Sequence, residues 1–280
     1  MNMTTTIMVH LDTSQRAMDR LDLAVRYATA HRARLIAVFA SFTLDPGWFY
    51  MMEGASRYLE DDRVRRCQAR DAVHAGYRER VQGLSIETEW RALEGEPVAM
   101  MVREAREADL VIIGQRNPDD PQSYIAAEFV ETVILEAGRP VLVVPYAGRF
   151  DTLPQRIVLA WDGGREAARA MHDAIPLMAG ARVQLLEVVS VQALPPLSRT
   201  GAGQAARALH AHRIDVEVQE ATCDDADVMI GELLLSRAAD FNADLLVMGA
   251  YGRTRLRELI LGGVTRTLLA SMTVPVLMSH

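Results

Sequence analysis

Residues 243–249 read Ala243-Asp244-Leu245-Leu246-Val247-Met248-Gly249, and residues 108–114 read Ala108-Asp109-Leu110-Val111-Ile112-Ile113-Gly114. Each stretch is an acid followed by an unbroken aliphatic run that ends on glycine. A run without polar alternation predicts a strand covered on both faces, as in a parallel sheet. Gly114 to Pro140 and Gly249 to Pro275 are both 26 residues, and each proline opens a further aliphatic run, Val141–Val144 and Val276–Ser279. Equal spacing without a gap marks an internal duplication.

Working outward, the earlier parts repeat as well. Ile7–Leu11 and Ile157–Trp161 are apolar runs that lead into Asp12 and Asp162. After each acid comes a polar turn, then a helical pattern: Ala17, Leu21, Ala24, Val25 and Ala28 in one half, Ala167, Ala170, Met171, Ala174 and Ile175 in the other. A second strand follows in each, at Leu35–Phe39 and Val183–Val189. The plan of each half is β-α-β-α-β-α-β-α-β. Right-handed crossovers turn that order into a doubly wound sheet with helices on both faces. The predicted fold is therefore α/β, with two tandem doubly wound five-stranded parallel-sheet domains at residues 1–148 and 153–280, joined through Gly148–Pro154. In such sheets ligands gather at the carboxyl ends of the strands, near the point where the strand order reverses.

Composition narrows the function classes. The chain has 280 residues, a net charge of −7 and 24% charged residues, an ordinary globular balance. Mild acidity argues against broad affinity for nucleic acid or membranes. No apolar run approaches the roughly 20 residues of a membrane helix, and the N-terminus lacks the pattern of a signal peptide. Cys67 and Cys223 fall in different halves and form no CxxC pair, which fits reduced thiols and a cytoplasmic setting. Asp61, Asp62, Arg63, Arg65 and Arg66 read as a mixed, solvated face. The segment 45–54, rich in aromatics and methionine, reads as local packing or an interface.

The segment with chemical content runs from Gly249 through Gly252 and Arg253 to Gly262, Gly263, Val264 and Thr265. It leaves a buried strand and opens the last helix. Glycines permit the tight turn and the close approach of backbone to an anion. The helix start offers free N–H groups and the positive end of a dipole, and Thr265 adds a hydroxyl. Together these suit a phosphate chain. Asp162, standing after a strand at the same sheet end, is a candidate for ligand contact, although such acids also commonly cap the next helix.

With these residues in place, the chain resembles a tandem universal stress protein. The family signature G-x2-G-x9-G-[ST] matches through Gly249, Gly252 and Gly262, followed by Val264-Thr265. The resemblance covers nearly all of both halves and implies a Rossmann-like, adenine nucleotide hydrolase-like domain with ATP, with or without Mg, at the strand ends. It further implies that Asp162 lies near ribose and adenine, and that Val188 contacts the base. One departure is Gly263, where the family has Ser or Thr. A lost hydroxyl donor weakens binding by about 0.5–1.5 kcal/mol. Ala160 and Trp161 also differ from some ATP-binding members.

In the first half the equal spacing carries Gly252 onto Asn117, Gly262 onto Ala127, Gly263 onto Glu128 and Thr265 onto Val130. A carboxylate at Glu128 repels phosphate, and Pro118 and Pro121 remove backbone donors. The expectation is that the first half does not bind ATP in this way.

His210 and His212 lie two apart and do not share a helix face, so they make a poor metal pair; no metal is expected. Arg255 and Arg257 read as a solvated face beside Glu258. No general base stands near the loop, so the chain is at most a weak ATPase. The expected function is a cytoplasmic stress-response or regulatory protein that binds an adenine nucleotide in its second half. The alternative is a nucleotide-independent interaction or chaperone-like module with an unidentified protein partner. An ATP-dependent ligase ranks last, since no substrate domain is visible. The apolar last strands, Val141–Val144 and Val276–Met278, need covering, which predicts pairing of the two domains there; homodimer formation is left open.

Overall fold

A computed structural model of the protein describes residues 5–42, 55–190, 201–223, 227–251 and 263–280. The chain divides into two compact units, one of residues 1–137 and 149–151, the other of residues 138–148 and 152–280.

The first unit runs β1 (Thr6–Leu11), α1 (Ala17–His31), β2 (Arg34–Phe42), α2 (Ala55–Val81), β3 (Thr88–Gly95), α3 (Pro97–Ala105), β4 (Leu110–Gly114) and α4 (Phe129–Glu136), with a short 3-10 turn at Pro121–Ser123. Its four strands are parallel, in the order β3-β2-β1-β4. The second unit opens with β5 (Val141–Val144), the last strand of the first sequence repeat. It continues with β6 (Arg156–Trp161), α5 (Arg165–Met178), β7 (Arg182–Ser190), α6 (Ala202–Ala211), β8 (Asp215–Cys223), α7 (Asp227–Asp240), β9 (Leu245–Gly249), α8 (Gly263–Ser271) and β10 (Val276–Ser279). Here β10-β9-β6-β7-β8 form the expected five-stranded parallel sheet. β5 is added antiparallel at its edge, with Val143 opposite Val276, Leu142 opposite Leu277 and Val141 opposite Met278.

The aliphatic runs behave as their composition requires. Val158, Leu159, Leu245, Leu246 and Val247 are fully buried in one unit, and Met8, Val9, Val111 and Ile112 in the other. The acid that opens each quoted stretch has a register function. Asp109 accepts a hydrogen bond from the Thr6 N–H at 2.8 Å, and Asp244 accepts from the N–H groups of Gln155 and Arg156 at 2.9–3.0 Å. Each carboxylate thereby ties the start of β4 or β9 to the start of the neighbouring first strand. α1 buries Ala17, Leu21, Ala24, Tyr27 and Ala28 against its sheet, and closes with Arg32 in the left-handed conformation, which lets the Ala33 N–H bond back to the Ala28 carbonyl. α3 begins on Glu96, whose carboxylate caps the N–H groups of Val98 and Ala99, with Pro97 at the first helical position.

α2 is long and largely exposed, and its surface carries the mixed charges in ion pairs, Arg63 with Glu60 and Arg66 with Asp62. The segment 45–54 lies outside the described residues. Cys67 and Cys223 are free thiols. The last strand of the first repeat, β5, groups with the second unit, where it pairs antiparallel with β10. The reason is visible in the strands themselves. Val141–Val144 and Val276–Ser279 are wholly buried, and their ladder satisfies backbone groups on an edge that water does not reach.

Candidate functional site: the carboxyl ends of β6, β7 and β9

In the second unit β6 lies between β9 and β7, so the chain leaves β6 toward β7 and β8 on one side and toward β9 and β10 on the other. The reversal makes the β6–β9 boundary the switch point, the place where open α/β sheets bind their ligands. Asp162 follows β6, Val188 lies near the end of β7, and Gly249 ends β9. The parallel pairing brings these three predicted residues to one end of one sheet. α8 joins β9 to a parallel β10 and so must start at that same end, which carries Gly263, Val264 and Thr265 there. Gly252, Arg253 and Gly262 lie outside the described residues.

Local chemistry explains the placement. The Asp162 carboxylate is partly exposed and accepts a hydrogen bond from the Gly164 N–H at 2.8 Å. Gly163 takes φ +77°, so the chain turns sharply before α5 starts at Arg165. Asp162 thus holds the turn while remaining partly exposed at the strand ends. Gly249 is required by packing: a Cβ there would lie 2.5 Å from the Ala167 nitrogen and 2.5 Å from the Glu166 carbonyl carbon. The first turn of α5 sits directly on the end of β9, which a side chain would prevent. Ala250 is buried and its N–H bonds to the Ser279 carbonyl at 2.8 Å, fixing the exit from β9 against β10. Tyr251 then enters the left-handed region at φ +63°. Val188 is half-buried beside Ala221 of β8, Trp161 is buried, and Thr265 is 2% exposed.

The corresponding end of the first unit is built differently. Asp12 is buried, and its Oδ2 accepts from Arg20 at 2.8 Å; its Oδ1 accepts from the Ser14 N–H at 2.9 Å and from the Ser14 hydroxyl. Arg20, on α1, is 3% exposed and also donates through Nε to the His10 carbonyl at 2.8 Å. Its guanidinium lies where a Cβ on Gly114 would stand. Burial pushes the Asp12 carboxyl upward, but Arg20, His10 and the Ser14 hydrogen bonds together hold it below the usual carboxylate range. Burial lowers the pKa of His10 to about 4; Asp12 opposes that shift and Arg20 adds to it. The ring of His10 packs on Phe129 at 4.8 Å, and its Nε2 has no hydrogen-bond partner among the described residues. Glu128, in the place of Gly263, is exposed and left-handed, at φ +57°.

The universal stress protein family model matches this sequence twice, over residues 3–145 and 154–280. The chain belongs to the universal stress protein family. A universal stress protein of Synechocystis is 26% identical over 179 residues, covering 60% of this chain and 57% of the relative. One from Mycobacterium tuberculosis strain H37Rv is 25% identical over 248 residues, covering 83% of this chain and 79% of the relative. The chain therefore spans little more than half the length of the Synechocystis protein. In structure, a universal stress protein from Archaeoglobus fulgidus DSM 4304 matches with a TM-score of 0.70 at 15% identity, covering 99% of both chains. That likeness is one of fold.

Sequence reasoning did not single out Arg20 in this tandem universal stress protein. A signal was present: Arg20 stands on the apolar face formed by Ala17, Leu21, Ala24 and Ala28, where the second repeat has Ala170. A cation in register with a buried alanine needs a buried partner.

Proposed function

We propose that the second universal stress protein domain binds ATP at the carboxyl ends of β6, β7 and β9, and that the protein acts in stress response or regulation in the cytoplasm. The observation that carries this reading is the convergence of Asp162, Val188, Gly249 and the start of α8 on one switch point, in the half whose sequence keeps the glycine loop. The residues suit the ligand. Asp162 is partly exposed at the strand ends, where its carboxylate suits a ribose hydroxyl. Val188 offers an apolar contact for the base. Gly252, Arg253, Gly262, Gly263, Val264 and Thr265 form a phosphate-binding loop and helix start. Magnesium, when present, screens the phosphate charge there. No acid or histidine stands in the loop before Glu258, so hydrolysis is slow or absent. No helix among the described residues is long and apolar enough to cross a membrane.

The antiparallel ladder between β5 and β10 supports the further reading that the two domains pair through their last strands. A homodimer and a protein partner belong to the same proposal.

Isothermal titration of the full chain with ATP tests the reading, alongside Gly252→Val. One site per chain, lost in the variant, is the expected result. Absence of binding to the unaltered protein would overturn it and make a nucleotide-independent interaction module the leading function.

A further inference from the structure

The loop that follows β4 does not hang open. Ser123 Oγ accepts from the Asn117 N–H at 3.0 Å, and the Asp120 carboxylate caps the Gln122 N–H at 3.0 Å. The same carboxylate reaches across to the turn that precedes α1, where its Oδ2 accepts from the Gln15 N–H at 3.2 Å. Asp120 is 9% exposed and Gln115 is 7% exposed, so this end of the sheet is sealed by the loop.

Three ties then cross or fill the β1–β4 switch point. Asp120 supplies an anion to a backbone donor in the turn that precedes α1. Arg20 supplies a cation to Asp12 and occupies the space beside Gly114. Phe129, at the start of α4, covers the ring of His10 at the end of β1. In an open site of this architecture, a negatively charged ligand would meet the N–H groups and its hydroxyls would meet the acid. Here both places are taken by side chains of the same half. In the second half Ala170 stands at the position of Arg20, and Asp162 is partly exposed where Asp12 is buried.

We infer that Asp120 and Arg20 form an internal clasp that holds the first half closed in the absence of any ligand, with Asp120 standing in for a bound anion at Gln15 and Arg20 for the partner of Asp12. The closed state follows from contacts within this half alone. It holds whether or not the second half binds nucleotide.

Amide hydrogen exchange of the full chain, read by mass spectrometry with and without ATP, tests the clasp. Segments 13–20 and 115–124 report on its two sides, and segments 156–172 and 243–249 on the second half. A hydrogen bond to a charged acceptor is worth enough to slow local opening by about ten- to a hundredfold. Asp120→Ala is expected to speed exchange by at least about tenfold in both clasp segments and to leave segments 156–172 and 243–249 unchanged. ATP is expected to leave segments 13–20 and 115–124 of the unaltered protein unchanged. If Asp120→Ala loses protection throughout α1, Asp120→Asn carries the comparison, since it keeps the shape and one acceptor and should speed the same two segments by less. Acceleration confined to 115–124, or slowing of segment 13–20 by ATP in the unaltered protein, would overturn the inference. Failure of ATP to alter the second-half segments would count against the proposed nucleotide site and leave the clasp standing.

Discussion

Arg20 and Asp12 face each other at 2.8 Å with both side chains buried, at the sheet end where the second repeat pairs Ala170 with a partly exposed Asp162. Removing one member of a buried pair leaves the other charged and unsolvated, which typically destabilises by about 3–5 kcal/mol. Arg20→Met should therefore weaken the first unit by about that amount in chemical denaturation. Adding Asp12→Asn should recover most of the loss, because no buried charge then remains. If the double variant is as unstable as the single one, the effect lies in packing beside Gly114 and not in the charge.

The same cluster predicts acid sensitivity. Burial holds His10 near a pKa of about 4 in the folded protein, against 6.5 for an unperturbed histidine. Between those values the unfolded chain binds the extra proton and the native state does not. The stability contributed by neutral His10 is therefore complete above about 6.5 and is lost as pH falls through about 4. The separation corresponds to about 3 kcal/mol. Asp12, with its carboxyl held low, adds a loss in the same direction at lower pH. Denaturation of the first unit at a series of pH values should show this decline, and His10→Phe should flatten it. An unchanged slope in His10→Phe would assign the acid sensitivity elsewhere.

At Gly249 the constraint is backbone against backbone, so no side chain can swing aside. Gly249→Ala should destabilise the second unit by about 1–3 kcal/mol, as overpacking does. It should also weaken ATP binding by displacing the first turn of α5 and Asp162 with it. Thermal unfolding and titration on one sample separate the two effects.

Glu128 holds a left-handed conformation that disfavours any residue with a Cβ. Glu128→Gly is expected to stabilise the first unit by about 1 kcal/mol, read as a rise in Tm. Lower stability in this variant would mean that the Glu128 side chain makes a contribution larger than its backbone strain.

Gly263 stands where the family signature has a hydroxyl residue. Gly263→Ser restores one donor, worth about 0.5–1.5 kcal/mol, so ATP should bind roughly two- to tenfold more tightly. Unchanged affinity in titration would show that position 263 does not meet the phosphates.

Most of the architecture was legible in the residues. The Ala-Asp pair before each central strand, the aliphatic runs and the 26-residue repeat place β4, β5, β9 and β10. Asp162 and Gly249 could be named because their chemistry is local: a turn after a strand, and a glycine where a helix presses close. Arg20 left a signal in the apolar face of its helix, but Asp120 could not be named the same way, since it acts on a partner that only folding brings near. Asp120 lies 105 positions from Gln15, and its loop composition reads as an ordinary turn. The direction of β5 was equally hidden. Val141–Val144 shows in its composition that it needs covering, but a four-residue strand does not state whether its partner runs parallel or antiparallel.

That strand has a consequence for synthesis. Val141–Val144 leaves the ribosome with the first repeat, while its partner, Val276–Ser279, emerges only after the rest of the second repeat. Almost the whole second repeat must be translated before the ladder can close, and contacts so distant in sequence form late. A nascent chain thus carries this aliphatic strand without its antiparallel partner while residues 145–275 are made. The yield of folded protein should therefore depend on how quickly translation of the second repeat delivers β10.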